Sequence, residues 1–271
     1  MKNVRALDIQ TVSLDGQLLR VGIWRGSRAS PPLVVFNGIG ANLELVQPFA
    51  DALGDVEVVI FDIPGVGGSP APLVPYRFST LAVMTDRLLA KLGYDGPVDV
   101  LGVSWGGALA QQFAHLYPFR CRRLVLAATS PGVIMVPGRL SVLSKLIGAR
   151  RYRDPDYMRE VGAEIYGGAY RTDPALLEEH GRHIRAPGGR GYLYQLFATW
   201  GWSSLLWLGT LRQPTLVMHG DDDPIIPLIN AEILARRIRR ATLHVLKDGH
   251  LFLITRTREV GPLVRNFLSS E

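Results

Sequence analysis

The chain has 271 residues, a single cysteine and a formal net charge of +6, and 47% of it is hydrophobic. That length buries a large core, as one α/β domain with an insertion or as two small domains, and the composition is that of an ordinary globular protein. One cysteine, Cys121, excludes an intrachain disulfide and suits a reducing compartment; it reads as a small core residue at the start of an apolar strand.

Met1 to Gln10 carries charges and no apolar stretch, so no signal peptide is expected. No apolar run approaches the roughly 18 residues of a membrane span. Arginines are scattered apart from Arg236-Arg237 and Arg239-Arg240, which fit a solvated helix face. The basic balance therefore does not indicate a nucleic-acid partner.

In chain order, Ile9 to Leu14 and Leu18 to Trp24 are strand-like runs around Asp15-Gly16, a hairpin turn signal. After Pro31-Pro32, short apolar runs alternate with amphipathic stretches. The runs are Leu33 to Phe36, Val56 to Phe61, Val98 to Leu101, Leu124 to Ala128, Thr215 to Met218 and Thr242 to Leu246. Helical stretches fall near Leu43–Leu53, Phe78–Leu92, Ala108–Leu116, Leu228–Ile238 and Glu259–Leu268. Strands buried on both faces, alternating with helices, predict a mainly parallel sheet with ligands at the carboxyl ends of its strands.

The alternation breaks between about Val133 and Leu211. This stretch holds six of the nine tyrosines, along with Phe197, Trp200, Trp202 and Trp207. It predicts a mostly helical cap over residues 133–211, inserted into a catalytic domain made of residues 1–132 and 212–271. Ala186-Pro187-Gly188-Gly189-Arg190-Gly191 reads as a loop or hinge within it. The alternative is a second core that never touches substrate.

Gly102-Val103-Ser104-Trp105-Gly106 lies between an apolar run and a helical stretch, the context of a nucleophile elbow. Small residues flank the serine because the turn is tight, and Gly107 lets the helix approach the sheet. A serine hydroxyl needs a base, and the base an orienting acid. Of the six histidines, His250 follows the last strand-like run and is the best candidate base. His115 points away in a helix, His219 and His244 belong to strands, and His180 and His183 fall in the cap. The acid is sought in Gly220-Asp221-Asp222-Asp223-Pro224. Asp223, before a turn-fixing proline, is favoured over Asp221 and Asp222, which read as a solvated turn.

The oxyanion donors are expected to be the backbone N–H groups of Trp105 and of Ile39, in Asn37-Gly38-Ile39-Gly40. The role of the Asn37 side chain stays open. Phe61 to Ser69 reads as a supporting turn; it lacks the lysine and helix of a phosphate loop. No histidine or cysteine cluster has metal-ligand spacing, and no cofactor or metal is expected.

With these motifs assembled, the chain resembles the α/β-hydrolases. More narrowly, it resembles the intracellular medium-chain-length polyhydroxyalkanoate depolymerases. The resemblance rests on Val35 to Asn42, Phe61 to Ser69, Gly102 to His115, Leu124 to Thr129, Gly220 to Pro227 and Asp248 to Arg256. It implies an α/β-hydrolase fold: a mostly parallel sheet, helices on both faces and a helical cap. It also implies a Ser104–Asp223–His250 triad and hydrolysis of 3-hydroxyacyl esters through an acyl-enzyme. The implied setting is a cytoplasmic protein, with a polyester or acyl-ester substrate and the storage-granule surface as partners. At least one of Trp200, Trp202 and Trp207 is expected to line the acyl groove. The competing expectations are a small-molecule carboxylesterase or lactonase of the same fold, a carbon–carbon bond hydrolase, and a non-catalytic binding protein.

Overall fold

The computed structural model describes residues 4–27, 30–146, 150–173, 175–183 and 188–270. Two strands, β1 (Leu7–Leu14) and β2 (Gln17–Trp24), form an antiparallel hairpin. Asp15 and Gly16 both take positive φ, at 49° and 84°, which matches the turn to the twist of its strands. β3 (Leu33–Phe36) follows, its four residues all buried.

The stretch from Leu43 to Leu53 divides into a short 3-10 turn, Leu43–Val46, and helix α1 (Gln47–Ala52). Pro48 has no N–H to bond the preceding turn and suits the first turn of a new helix, which favours the break there. β4 (Val58–Phe61) begins later than the apolar run suggested, and Val56 makes only an isolated bridge to Ser27. Next come α2 (Phe78–Lys91), β5 (Val98–Val103), α3 (Trp105–Leu116) and β6 (Cys121–Ala127).

Between β6 and the next strand lies a helical insertion with α4 (Leu140–Leu146), α5 (Arg150–Arg153), α6 (Pro155–Tyr166), α7 (Ala175–His183) and α8 (Gly189–Thr199). α6 starts where it does because Asp154 accepts the Tyr157 N–H at 2.9 Å and Pro155 sets the first turn. Gly189 to Gly191 belong to α8 rather than to a loop. The helix packs so closely on Gly65 that a Cβ at Gly191 would lie 1.9 Å from the Gly65 carbonyl oxygen. Ala186 and Pro187 lie outside the described residues, as do the side chains of His180 and His183.

The chain returns through β7 (Thr215–Gly220), α9 (Ile229–Arg237), β8 (Ala241–Leu246), α10 (Phe252–Thr255) and α11 (Thr257–Ser269). The eight strands are ordered β1-β2-β4-β3-β5-β6-β7-β8, with β2–β4 antiparallel and every later pairing parallel. One sheet face carries α2, α3 and α9 on a core that includes Phe36, Phe78, Leu109, Phe113 and Leu234. The other carries α1, α10 and α11 on Leu33, Phe49, Phe252 and Val264. The insertion has a smaller core of its own around Met158, Ile165, Tyr170 and Leu177. Fully burying one such side chain stabilises the fold by about 1.5–3 kcal/mol, so these faces fix the strand ends where the site is built.

Candidate active site

Ser104 sits between β5 and α3 with φ 53° and ψ −118°, a conformation L-residues rarely adopt. Its neighbours are glycines for steric reasons. A Cβ at Gly102 would lie 2.3 Å from the Gly106 oxygen, and one at Gly106 would lie 2.1 Å from the Phe36 oxygen. A Cβ at Gly107 would strike Thr129 at 2.4 Å. Thr129, in the loop after β6, uses that gap to donate its hydroxyl to the Ser104 carbonyl at 2.7 Å. The strained turn is therefore held from a neighbouring strand.

Asp223 and His250 extend from the carboxyl ends of β7 and β8. The Nδ1–H of His250 donates to Asp223 Oδ2 at 2.7 Å. The other carboxylate oxygen accepts the Ile225 and Ile226 N–H groups at 2.9 and 3.0 Å. Those bonds fix the carboxylate, and it in turn fixes the imidazole tautomer and its direction. The His250 backbone N–H donates to the Tyr166 carbonyl at 2.7 Å, so the insertion also grips the histidine loop. Ser104 and His250 line one cavity, together with Ile39, Leu146, Arg151 and Tyr152.

The other two aspartates of the run do different work. Asp222 accepts from Arg171 Nε and from the Gly168 N–H, both at 2.7 Å, tying the insertion to the β7 loop. Burial opposes its charge, but those two donors hold its pKa below the usual carboxylate value. It is therefore not a free turn residue. Asp221 is exposed.

The loop after β3 is pinned at four points. Asn37 donates its side-chain amide to the Asn42 carbonyl at 2.9 Å and accepts the Gly38 N–H at 3.0 Å, which settles its part as a loop brace. Tyr152 of α5 donates its hydroxyl to the Ile39 carbonyl. Gln195 of α8 accepts the Gly40 N–H at 2.7 Å. Among the described residues the Ile39 N–H makes no hydrogen bond, and the Trp105 N–H lies in the first turn of α3, where helix N–H groups are free. Asp62, after β4, braces the same loop by accepting the Leu43 N–H, and closes its own turn by accepting the Gly68 N–H, at 2.8 Å each.

A second cavity reaches Ser104 from the other side, lined by Trp105, Val133, Met135, Leu196 and Trp202. Of the three tryptophans singled out in the sequence, Trp202 alone is on this wall, with its Nε1–H donating to Gln112 at 2.8 Å. Trp207 stacks on His115 with ring centroids 4.3 Å apart and packs on the core. Trp200 is 69% exposed and borders neither cavity. An aromatic-rich segment marks a hydrophobic region but not which ring faces the void.

Sequence reasoning passed over Arg151, Tyr152, Gln195 and Asp248, and read His219 only as a strand residue. His219 is fully buried, its Nε2–H donating to the Ile226 carbonyl at 2.7 Å, with Asp223 Oδ2 3.4 Å away. Asp248 is buried and accepts from the Ala169 N–H at 2.8 Å and the Thr255 hydroxyl at 2.6 Å. A residue two before a candidate histidine, in a loop rich in N–H groups, was the available hint. Among the described residues, no three His, Cys, Asp or Glu side chains are placed to hold a metal ion.

A strained serine, a histidine hydrogen-bonded to a carboxylate, and free N–H groups beside them suit attack on an acyl carbon. Residues 31–257 match the family model of the alpha/beta hydrolase fold. This chain is an α/β hydrolase. It is 54% identical over 97% of its length to the poly(3-hydroxyalkanoate) depolymerase of Ectopseudomonas oleovorans, covering 93% of that protein. It is 27% identical to the pimeloyl-[acyl-carrier protein] methyl ester esterase of Aromatoleum aromaticum, over 87% of this hydrolase and 97% of the esterase. The enol-lactonase from Burkholderia xenovorans shares the fold, with a TM-score of 0.81 at 22% identity, over 96% of this chain and 100% of that one. Among the described residues, no helix is long and apolar enough to cross a membrane.

Proposed function

We propose that the protein is a serine esterase that hydrolyses the 3-hydroxyacyl ester bonds of medium-chain-length polyhydroxyalkanoate. The observation that carries this reading is the 54% identity, which runs through nearly the whole chain and so includes the insertion as well as the sheet. The site supports it in kind: Ser104 lies at the meeting of two largely apolar cavities, as an ester with an alkyl group on each side requires.

In this reading, His250 takes the proton from Ser104 as the hydroxyl attacks the ester carbonyl. Asp223 orients the imidazole and stabilises its charged form. The Ile39 and Trp105 N–H groups receive the oxyanion. The protonated His250 gives its proton to the departing 3-oxygen, and a 3-hydroxyacyl-enzyme remains on Ser104. Water, deprotonated by His250, then releases the acid. The insertion over residues 133–211 serves as the cap, and Trp202 is its tryptophan on the acyl groove.

The protein works in the cytoplasm at the storage granule in this reading. Supporting that setting, Val133 and Leu196 on the cavity wall are 50% and 44% exposed, and Leu140 and Trp200 nearby in sequence are 81% and 69% exposed. The apolar cavity wall thus runs out to apolar surface of the kind that contacts other apolar matter.

The deciding measurement is release of 3-hydroxy acids from medium-chain and short-chain polyesters beside a soluble nitrophenyl ester. Medium-chain polymer should yield acid fastest of the two polyesters. Activity confined to the soluble ester would replace this reading with the small-molecule carboxylesterase or lactonase.

A further inference from the structure

Arg151 differs from the arginines around it. Arg150 points outward and pairs with Asp154 at 3.1 Å. Arg151 points inward and is only 5% exposed. It donates from Nη1 to the Leu146 carbonyl at 3.0 Å and to the Tyr192 hydroxyl at 3.3 Å, and from Nη2 to the Tyr152 hydroxyl at 2.9 Å. Its guanidinium carbon lies 4.5 Å from the Tyr152 ring centre and 5.7 Å from that of Tyr192. Phenol oxygens, ring faces and one carbonyl are its surroundings; among the described residues no carboxylate pairs with it.

A buried guanidinium stays protonated, and leaving it without a counter-charge costs several kcal/mol. An anion brought by a ligand would supply the missing counter-charge. Arg151 borders both cavities that meet at Ser104. It is also one hydroxyl away from the oxyanion loop, because the Tyr152 hydroxyl that accepts from it donates in turn to the Ile39 carbonyl. Arg151 therefore lies on the wall the two cavities share, where an anion can belong to the same bound chain as the ester at Ser104.

A 3-hydroxyacyl polyester is neutral along its length and carries one carboxylate, at its carboxyl end. In the last unit that carboxylate is separated from the scissile ester oxygen by only two carbons. Resting on the polyesterase reading above, we propose that Arg151 seats the free carboxyl end of the chain, so that Ser104 attacks the ester bond next to it. The Ser104 oxygen bonds to the carbonyl carbon of the penultimate unit, and the bond from that carbon to the 3-oxygen of the last unit breaks. The serine proton passes through His250 to that oxygen, so one free 3-hydroxy acid leaves. Water then hydrolyses the acyl-enzyme and releases a chain one unit shorter. Its new carboxylate is the group Arg151 recognises in the next cycle.

The test uses the dimer of 3-hydroxyoctanoic acid as the free acid and as its methyl ester, with nitrophenyl octanoate as a reporter of ester hydrolysis alone. Wild-type kcat/KM should favour the free acid by tenfold or more. In Arg151→Gln that ratio should fall to near one, and in Arg151→Lys it should lie between. A wild-type ratio of one or less, with both dimers cleaved, overturns the carboxylate site and leaves the polyesterase reading standing. A tenfold ratio that persists in Arg151→Gln also overturns it. Cleavage of nitrophenyl octanoate with neither dimer nor polymer touched overturns both. Arg151→Lys, which keeps the charge, supplies the variant readout if Arg151→Gln fails to fold, and a wild-type ratio of one or less overturns the site without any variant.

Discussion

Gln195 accepts the Gly40 N–H on its side-chain oxygen at 2.7 Å, while its own backbone carbonyl accepts the Trp105 indole N–H at 2.9 Å. One residue of the insertion thus holds the chain immediately beside both expected oxyanion donors, the N–H groups of Ile39 and Trp105. Only the first bond involves the side chain. Gln195→Ala should therefore loosen the Ile39 loop and leave α8 in contact with Trp105.

The expected result for Gln195→Ala is a kcat reduced by roughly tenfold, below the 10²–10³ lost when a donor is removed outright, with KM for nitrophenyl octanoate little changed. Affinity for a tetrahedral boronate analogue should fall in step with kcat/KM, since both report the same oxyanion contacts. Lowered thermal stability with unaltered analogue affinity would reduce Gln195 to a packing residue.

The three adjacent aspartates give a ranking. Asp223 holds His250; Asp222 holds Arg171 and Gly168; Asp221 is at the surface. Asp223→Asn should cost about ten-thousand-fold in kcat, by analogy with the protease triad aspartate. Asp221→Asn and Asp222→Asn should each cost less than tenfold. Ser104→Ala should remove most turnover, on the order of a million-fold. Single-turnover kinetics with a nitrophenyl ester test all four, and a larger loss at Asp222 than at Asp223 would move the acid.

The sheet was legible because central parallel strands must be largely apolar on both faces, which makes the runs Leu33 to Phe36 and Val98 to Leu101 stand out with no periodicity to decode, although β5 itself runs on to Val103. The elbow was legible for the same kind of reason: only glycine fits where a Cβ would meet backbone. The insertion was legible as a helical region but not as a set of contacts. Arg151 and Gln195 act through partners more than 100 residues away, Ile39 by way of Tyr152 for the one and Gly40 for the other. No local pattern encodes such a distance. Arg150 and Arg151 look alike in sequence, and their opposite directions are set by where α5 docks.

The tryptophans divide by what each ring touches. Trp202→Ala should flatten the dependence of kcat/KM on acyl length, because each buried methylene is worth about 0.8 kcal/mol and this ring is part of the wall. Trp207→Ala should instead lower thermal stability, with activity on all esters falling together. Trp200→Ala should leave folding and soluble-ester hydrolysis near wild type, as expected for a ring 69% exposed. Nitrophenyl esters from two to twelve carbons, with melting curves, separate the three. A steady fall in wild-type rate from acetate upward would count against a medium-chain groove.

His219 gives the fold a sensitivity to acid. It is fully buried, its Nδ1 has no hydrogen bond among the described residues, and its Nε2–H points to the Ile226 carbonyl with Asp223 close by. Burial pushes its pKa below the ordinary imidazole value; Asp223 and the Ile226 carbonyl pull the other way without cancelling it, and His250 adds to the lowering. In the unfolded chain the ring protonates near pH 6.5, whereas the folded chain keeps it neutral to lower pH. The unfolded state therefore takes up more protons as pH falls below about 6.5, so this contribution to stability is complete above that pH and declines beneath it. Urea unfolding of wild type should give a free energy that drops from pH 7 to pH 5. His219→Gln cannot titrate at this position and should show a shallower drop, whatever its stability at pH 7. Parallel slopes in the two proteins would assign the acid sensitivity to other groups.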